Sequence, residues 1–348
     1  MSTKRERVNV IGAGVVGLTT GLVLQRNGYQ VKIIAEHWPG DFNIYYTSPW
    51  AGAFIRPEPK LDERGKKFEE VSYKTLWSLS YMNDTGVIRI PNVDMYTYDL
   101  QINGEPWLKG IYHKFQVIPK DKLPKDVEYG ISYVTVSMDV PKYLRWLLNQ
   151  FTNAGGKTEK VHLNHLNDAF EPGVDIIVNC TGINARTFGG VDDDKVFPIR
   201  GQLVAVWAPH VKIAKTLSHE DNTRTYIIPR EDGEVILGGT LDVNEIDGTP
   251  DPKTAESILN RCAKLCPELH QGKGLSSLQI IRHTVGLRPA RKDGIRLEAE
   301  ISRNSAGNNV IVCHNYGHGS SGYSKSWGSA IEVLELIKSA SQAEISKL

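Results

Sequence analysis

The stretch RVNVIGAGVVGLTTGLVLQRNGYQVKIIAE, residues 7–36, decides the fold of this chain. It begins with the short apolar run RVNVI, continues with helical apolar spacing that ends at Gly28, and finishes with the β-branched run QVKIIAE. Gly12, Gly14 and Gly17 form a G-x-G-x-x-G pattern between the first run and the helix. The pattern predicts a strand, a tight turn, a helix and a second strand, which together form a dinucleotide-binding unit.

Each part of this unit has a physical role in holding a pyrophosphate. Gly12 permits the tight turn, Gly14 lets backbone N–H groups approach the anion, and Gly17 lets the helix pack against the strand. Glu36 ends the second strand, where an acidic side chain can bind ribose hydroxyls. The unit therefore predicts a dinucleotide site, and by itself it leaves NAD and FAD open.

Bulk composition restricts the classes of function. The chain has 348 residues, enough for two domains, and its 41 lysines and arginines against 40 aspartates and glutamates give a net charge of +1. This balance predicts neither a nucleic acid nor an anionic membrane surface as a partner. No apolar run reaches the about 20 residues of a membrane helix, and the start MSTKRER lacks the apolar segment of a signal peptide. Four cysteines do not make a disulfide framework in so long a chain, so we expect a reducing, intracellular compartment.

The rest of the chain predicts an α/β fold in which the Rossmann-like domain is interleaved with a second domain rich in β-sheet. Strand patterns dominate residues 86–139 and return after residue 196, whereas VPKYLRWLLNQFTNAGG and the end of the chain read as helices. We assign residues 1–60, 140–190 and 282–345 to the dinucleotide-binding domain. Residues 61–139 and 191–281 form the second, substrate-binding domain in this assignment.

The stretch VNCTGINAR, residues 178–186, favours FAD over NAD. It predicts a strand that ends at Thr181 and Gly182, where backbone passes close to a ligand. One Rossmann unit near the start of the chain, with a strand and turn that return near its end, is the arrangement that wraps an extended flavin. The alternative interpretation of this stretch is an ordinary strand end.

The stretch LRPARKDG contains a candidate for carboxylate binding. Arg288 follows a β-patterned run, and its planar guanidinium matches a carboxylate in two parallel hydrogen bonds. Tyr226 begins the strand TYIIPR, where core packing is the ordinary role, and the companion arginine makes a contact to the same carboxylate attractive. For Arg291 and Arg296 we expect a solvated basic loop.

The stretch HNYGHGSSGYSKSWG, residues 314–328, combines glycines with the start of a helix, so its backbone donors can face an anion or a flavin edge. His314 and His318 lie four residues apart, but no carboxylate follows in zinc-protease order, so we expect no metal. Ser320 and Ser321 do not fit the G-x-S-x-G spacing of a hydrolase, because Tyr323 takes the place of the last glycine.

Several motifs in this order resemble the D-amino-acid oxidase and D-aspartate oxidase family, in its fungal branch. They are VIGAGVVGL, YYTSPWAGA, IVNCTG, PIRGQ, YIIPR with GEVILGGT, VGLRPAR and HNYGHGSSGY, and they span nearly the whole chain. The resemblance implies a FAD-binding Rossmann-like domain, a β-rich substrate domain and, in many members, a homodimer. It implies oxidation of a D-amino acid by dioxygen to a 2-oxo acid, ammonia and hydrogen peroxide, by hydride transfer from Cα to flavin N5.

The resemblance also implies roles for individual residues. Arg288 holds the substrate α-carboxylate, Tyr226 adds a hydrogen bond to it, and the backbone carbonyl of Ser320 receives the substrate amine. The positions implied for FAD by the glycine pattern and the resemblance are Gly12, Ala13, Gly14, Val15, Val16, Gly17, Glu36, His37, Thr47, Ser48, Ala51, Gly52, Ala53, Val161, Thr181, Gly182, Gly319, Ser320, Ser321, Gly322, Tyr323 and Ser324.

Two positions favour an acidic substrate, D-aspartate or D-glutamate, and at a third position one substrate contact of the family is missing or replaced. Leu241 stands after GGT, where many members with neutral substrates have a second tyrosine. Arg56 stands where other members carry a neutral polar residue, and His219 precedes Tyr226 where members with acidic substrates place a cation. A second cation near the pocket favours a second carboxylate. The alternative for Arg56 is a surface residue paired with Glu58 or Glu63.

Other activities remain alternatives at this stage. They are a D-amino-acid oxidase that prefers neutral substrates, a glycine or sarcosine type of amine oxidase, a dehydrogenase with another electron acceptor, and a nucleotide-binding scaffold without activity. The scaffold leaves Arg288, Tyr226 and the turn at residues 319–323 unexplained.

The chain ends in Ser346-Lys347-Leu348, which matches the peroxisomal targeting tripeptide. An enzyme that makes hydrogen peroxide is best kept beside catalase, so the chemistry implied by the resemblance gives this tripeptide a purpose. We therefore expect a location in the peroxisome matrix and a peroxisomal import receptor as a partner.

Overall fold

The computed structural model describes residues 5–58, 61–100, 106–304 and 306–345 of the chain. This part of the chain forms two β-sheets with helices packed on them. The helices are α1 (Val15–Arg26), α2 (Glu63–Leu79), α3 (Pro106–Ile111), α4 (Val140–Asn153), α5 (Pro252–Leu265) and α6 (Gly322–Ile345). The predicted tripeptide 346–348 lies outside the described residues.

The first sheet has six strands within the described ranges and is parallel except at one edge. From edge to edge they are β14 (Arg296–Arg303), β15 (Asn309–Tyr316), β7 (Ile176–Asn179), β1 (Arg7–Ile11), β2 (Gln30–Ala35) and β6 (Lys157–Lys160). Helix α1 crosses from β1 to β2, and nearly all of its residues from Val15 to Leu24 are buried, because α4 and α6 pack on it. The predicted unit of strand, helix and strand is confirmed by this geometry.

The second sheet has nine strands in the described part of the chain and is mostly antiparallel. Eight of them follow one another in space as β12 (Asp242–Val243), β8 (Val196–Trp207), β11 (Glu234–Gly238), β10 (Arg224–Pro229), β9 (Ala214–Ser218), β3 (Val87–Tyr96), β5 (Tyr129–Met138) and β4 (His113–Val117). The ninth, β13 (Gln279–Arg291), pairs with β8 along its whole length. Helix α5 packs on one face of this sheet. The two sheets together give the predicted α/β fold.

The positions of β13 and α2 differ from the domain boundaries that we predicted from the sequence. The boundary assigned at residue 282 falls inside β13, which stays paired with β8 until Arg291, with one bulge between Ile280 and Arg282. Helix α2, assigned to the second domain, packs against α6 on the first sheet. Its start is capped by Asp62, whose carboxylate accepts the N–H of Gly65 at 2.7 Å. Among the described residues, no helix is both long enough and apolar enough to cross a bilayer.

We expect the contact between α2 and α6 to be sensitive to one added methyl group. A Cβ on Gly328 would lie 2.3 Å from Cα of Phe68 and 2.6 Å from its carbonyl oxygen. The backbone of Phe68 cannot move away without a loss of stability, so Gly328→Ala should lower the melting temperature of the FAD-loaded protein by about 2–6 °C. The measurement is thermal unfolding followed by circular dichroism.

The matched control for this substitution is Gly110→Ala. Gly110 lies in α3 and an added Cβ there would meet nothing within 4 Å. Alanine is the better helix former, so this variant should melt at or slightly above the temperature of the wild type. Equal melting temperatures for both variants would contradict the close packing of α2 on α6.

Candidate active site

A cleft of about 1300 Å³ lies where the first sheet meets the second. On one side it is lined by the segments that follow the carboxyl ends of β1, β2, β6 and β7, which include Gly12, Glu36, Val161 and Thr181. Ligands of open parallel sheets bind at this edge. On the other side it is lined by residues of β8, β9, β10 and β13 in the second sheet.

The glycines after β1 leave no room for side chains. Gly12 has a φ of 103°, and a Cβ on it would lie 2.6 Å from the carbonyl oxygen of Cys180. A Cβ on Gly17 would lie 1.9 Å from the carbonyl oxygen of Gly12, and one on Gly14 would lie 2.9 Å from Oγ of Ser48. The distances to backbone oxygens at Gly12 and Gly17 are too short for any other residue, so bare backbone forms this end of the cleft.

The start of α1 suits an anion. The N–H of Val15 donates to Oγ of Ser48 at 2.9 Å, and the first turn of the helix contains no acidic residue. The first N–H groups of a helix lack partners within the helix, and its dipole favours negative charge there. Ala13, Val15 and Val16, which the sequence assigned to the cofactor, line the cleft at this point.

The segment 47–53 continues from the glycine turn along the cleft. Thr47, Ser48, Ala51, Gly52 and Ala53 all line it. Two hydrogen bonds hold this segment: Oγ1 of Thr47 donates to the carbonyl of Leu287 at 2.8 Å, and the hydroxyl of Tyr323 donates to the carbonyl of Ser48 at 2.9 Å. The segment is thereby tied both to β13 and to the start of α6.

The carboxylate of Glu36 lies at the rim of the cleft beside His37 and Val161. Sequence reasoning missed its direct partner: Nδ1 of His162 lies 2.7 Å from Oε2 of Glu36. The hydrogen bond from His162 lowers the pKa of Glu36, and the same bond raises the pKa of His162. The parallel pairing of Ala35 with Lys160 brings the two side chains together, and sequence spacing alone does not reveal that register.

The end of β7 and the start of α6 close the opposite side. Thr181 and Gly182 line the cleft, as does the whole stretch from Gly319 to Ser324. A bridge between Ala290 and His318 holds this stretch against β13. The residues that the sequence assigned to FAD therefore surround one cleft, with the exception of Gly17, which lies under the turn and makes its close approach possible.

These residues fit FAD on physical grounds. Bare backbone and an acid-free helix start suit the pyrophosphate, and a carboxylate beyond the second strand suits the ribose hydroxyls. The cleft then continues to the second sheet, which leaves space for an extended cofactor and a small molecule next to it.

Arg288 and Tyr226 lie side by side in the second-sheet half of the cleft. Glycines clear the space for both. A Cβ on Gly201 would lie 2.3 Å from a terminal nitrogen of the Arg288 guanidinium, and a Cβ on Gly238 would lie 2.2 Å from the Tyr226 ring. The Arg288 and Tyr226 side chains therefore pack directly against the backbone of the glycines in PIRGQ and LGGT.

The Arg288 guanidinium is available to a ligand. It donates to the carbonyl of Thr240 at 3.1 Å and, within the described residues, has no carboxylate partner. Burial raises the pKa of Tyr226, whereas its contact with Arg288 opposes that shift. The phenol thus stays protonated at neutral pH and can donate to the same anion that the guanidinium binds.

Arg56 lines the cleft, but its charge is compensated. Its Nε lies 3.1 Å from Oδ2 of the fully buried Asp94, and its terminal nitrogen donates to the hydroxyl of Tyr96 at 2.8 Å. Burial alone would lower the pKa of Arg56, but Asp94 and its neighbours outweigh burial and raise it. Arg56 is thus a cation beside the pocket, as expected, but its charge is paired within the protein. The alternative of a surface pair is wrong, because Glu58 binds Lys325 and Glu63 binds Lys66.

His219 does not line the cleft, whereas Arg224 does. In the pairing of β9 with β10, Ser218 is opposite Arg224 and Thr216 is opposite Tyr226, so these four side chains share the face that looks into the cleft. His219 is one position out of phase with them and interacts with Asp221. The expectation for His219 is therefore wrong, because side chains alternate between the two faces of a strand and His219 is on the other face. The same alternation places Arg224, two residues before Tyr226, on the cleft-facing side.

The Arg224 guanidinium lies in the same cleft as Arg288 and Arg56. Within the described ranges no carboxylate pairs with it, although its side chain is open to the cleft. Burial by the surrounding protein and the nearby Arg56 lower its pKa, and Arg288 acts in the same direction. Such a group gains stability when an anion binds next to it.

Arg291 and Arg296 differ from the expected solvated basic loop. Nε of Arg291 lies 2.8 Å from a carboxylate oxygen of Asp193, and Arg296 binds Glu298 at 2.6 Å and the hydroxyl of Tyr316 at 2.9 Å. Both guanidinium groups are thus occupied by protein partners. The partner of Arg291 comes from a distant part of the chain, whereas Arg296 pairs with a residue of its own strand, β14.

The two histidines of HNYGHGSSGY are buried and contact other side chains in the protein interior. His314 is buried next to Asn179, and Nε2 of His318 lies 3.2 Å from Oγ of Ser329. Burial, reinforced by Lys325, lowers the pKa of His318 to about 3, so that it stays neutral. The described residues contain no group of three or more histidine, cysteine or acidic side chains that could hold a metal ion.

Comparison with known proteins agrees with this geometry. A family model described as FAD dependent oxidoreductase matches residues 7–336. The chain is 34% identical over 339 residues to the D-amino-acid oxidase of Schizosaccharomyces pombe, with 96% of each chain covered. It is 30% identical over 393 residues to the D-aspartate oxidase of Cryptococcus neoformans var. grubii, with 96% of this chain and 97% of the relative covered.

Among solved structures, glycine oxidase from Bacillus cereus superposes with a TM-score of 0.71 at 16% identity, over 97% of this chain and 96% of that one. This likeness concerns the fold. The family match over residues 7–336 and the identity to the curated relatives along nearly the whole chain show that this protein belongs to the FAD-dependent oxidoreductase family of the D-amino-acid oxidases.

Proposed function

We propose that this enzyme oxidises D-amino acids to 2-oxo acids with release of ammonia and hydrogen peroxide, and that it prefers the acidic substrates D-aspartate and D-glutamate. The observation that carries the proposal is the pair of cleft-facing guanidinium groups, Arg288 and Arg224, neither of which has a carboxylate partner within the described residues. One suits the α-carboxylate of an amino acid and the other suits a second carboxylate.

The reaction removes two electrons and two protons from the amino acid and delivers them to dioxygen. The resulting imine takes up water and releases ammonia, which leaves the 2-oxo acid. When bound, FAD supplies the acceptor for the electron pair. The chain's own residues supply binding and orientation, which make up much of the catalytic effect where the chemistry belongs to a cofactor.

Orientation begins with the α-carboxylate. The planar Arg288 guanidinium can donate two parallel hydrogen bonds to a carboxylate, and the Tyr226 hydroxyl can donate a third. The bond from Arg288 to the carbonyl of Thr240 fixes the guanidinium before substrate arrives. Ser320 lies at the other side of the cleft, where its backbone carbonyl can receive the substrate amine. Two anchored groups on one carbon restrict the direction of the α-hydrogen.

The preference for acidic substrates follows from Arg224. An amino acid with a neutral side chain leaves this cation without an anion, whereas a side-chain carboxylate compensates it. The relatives include a D-aspartate oxidase as well as D-amino-acid oxidases. Leu241 also lines the cleft, and its apolar side chain is the observation that favours the second candidate, a preference for neutral D-amino acids.

Replacement of Arg288 should strongly lower kcat/KM. Arg288→Lys keeps the charge but loses the fork, so kcat/KM should fall at least about 100-fold for every D-amino acid. The assay is oxygen consumption, with flavin absorbance per protein unchanged. Arg303→Lys, on the exposed strand β14, is the matched control and should keep wild-type activity. Equal activity in both variants would remove Arg288 from the site.

Removal of the uncompensated cation should change specificity. Arg224→Met keeps the bulk of the side chain, and we expect kcat/KM for D-aspartate to fall about 30- to 100-fold, because a charge-assisted contact is lost. For D-alanine the change should stay within about threefold. Steady-state kinetics with both substrates make the comparison. Equal losses on both, or a wild-type enzyme that prefers D-alanine, would reject the acidic preference.

We also propose that the enzyme is imported into the peroxisome matrix through Ser346-Lys347-Leu348, and that it works there as a homodimer. Deletion of these three residues from a fluorescent fusion should leave the protein in the cytosol, because the import receptor reads the extreme C-terminus. The fluorescent tag must precede residue 1, and the full-length fusion is the control. Punctate fluorescence of the truncated protein would contradict this assignment.

A further inference from the structure

Two side chains meet at the cofactor end of the cleft because adjacent parallel strands end in register. Ala35 of β2 is paired with Lys160 of β6, and the N–H of Val161 donates to the carbonyl of Ala35 at 3.1 Å. Glu36 and His162 therefore leave the sheet together and both line the cleft. Nδ1 of His162 lies 2.7 Å from Oε2 of Glu36, a distance typical of a charge-assisted hydrogen bond.

The Glu36 carboxylate can accept hydrogen bonds from more than one partner. The acid beyond the second strand of a Rossmann unit binds the ribose hydroxyls of the dinucleotide. An ionised carboxylate offers about four acceptor sites, so the imidazole can occupy one while two hydroxyls occupy others. The imidazole then fixes the rotamer of Glu36 before the cofactor binds, which lowers the entropic cost of binding.

We propose that His162 is a positioning residue for FAD: through Nδ1–H it holds the Glu36 carboxylate toward the ribose, and its protonated form strengthens cofactor binding. The assignment concerns affinity for FAD and is independent of the substrate of the enzyme.

The charged groups around the pair determine the direction of the pH effect. Nε2 of His37 lies 3.8 Å from Oε2 of Glu36, and Lys160 is held by Asp41 at 3.0 Å. The hydrogen bond to Glu36 raises the pKa of His162, and His162 in turn lowers the pKa of Glu36. A bound dinucleotide would bring the negative charge of its pyrophosphate into the same cleft and favour the protonated imidazole further. FAD affinity is therefore highest below the raised pKa of His162 and declines as pH rises through it.

The experiment measures release of FAD from the holoenzyme. Purified holoenzyme is diluted to equilibrium at several values between about pH 6 and about pH 8.5, and free flavin is measured by its fluorescence. The variants are His162→Asn, which places an uncharged amide donor near the position of Nδ1, and His162→Ala, which removes the donor. His37→Gln tests the other histidine, and His283→Gln, on the exposed part of β13, is the matched control.

We expect the Kd of the wild type for FAD to rise about tenfold across this range, which is the change expected when a charged hydrogen bond becomes neutral. His162→Ala should have a Kd about tenfold higher than wild type at about pH 6 and little pH dependence. His162→Asn should be equally flat but bind more tightly than His162→Ala. His37→Gln and His283→Gln should keep the wild-type slope.

Two results would overturn the assignment. One is a Kd of His162→Ala within about twofold of the wild type at about pH 6. The other is a wild-type slope that survives in His162→Asn and disappears in His37→Gln. A general loss of stability would raise the Kd of a variant at every pH, whereas the assignment requires a change in the slope within that variant.

Discussion

The close approach of three backbone segments at Gly12 is the constraint on which the site depends. A side chain on Gly12 would overlap the carbonyl of Cys180, and one on Gly17 would overlap Gly12 itself. Because nothing but hydrogen atoms separates these segments, the start of α1 lies directly beside the end of β7. The same edge of the sheet then receives Ser48 and Glu36, which line the cleft beside this turn.

Charge compensation, more than charge number, determines what the second half of the cleft can bind. Arg56 reaches the cleft but is neutralised by the fully buried Asp94, which also accepts the hydroxyl of Tyr133 at 2.8 Å. Breaking such a pair would leave a buried charge without a partner, so Arg56 is held by Asp94 and is not available to a ligand. Arg224 and Arg288 have no such partner within the described residues, so a ligand can supply it. Arg288 contributes to the lowered pKa of Arg224, so an anion bound between the two groups relieves the repulsion of neighbouring cations.

Local patterns in the sequence predicted what is encoded locally. The glycine spacing gave the turn after β1, and the distance to Glu36 gave the acid at the end of β2, since both depend on a single strand–helix–strand unit. Partners that meet through pairing of distant strands were not predictable: Asp94 for Arg56, His162 for Glu36 and the extension of β13 to Arg291. Arg224 is the intermediate case, because alternation along β10 placed it on the same face as Tyr226.

The two halves of the cleft are joined through one strand. β13 carries Arg288, and the residue before it, Leu287, accepts the hydroxyl of Thr47 from the cofactor segment. Two residues after Arg288, Ala290 is bridged to His318 at the start of the turn that leads into α6. The carboxylate clamp is therefore bonded on both sides to segments that line the cofactor half. A ligand held by Arg288 is therefore linked to those segments through one side-chain hydrogen bond and one backbone bridge.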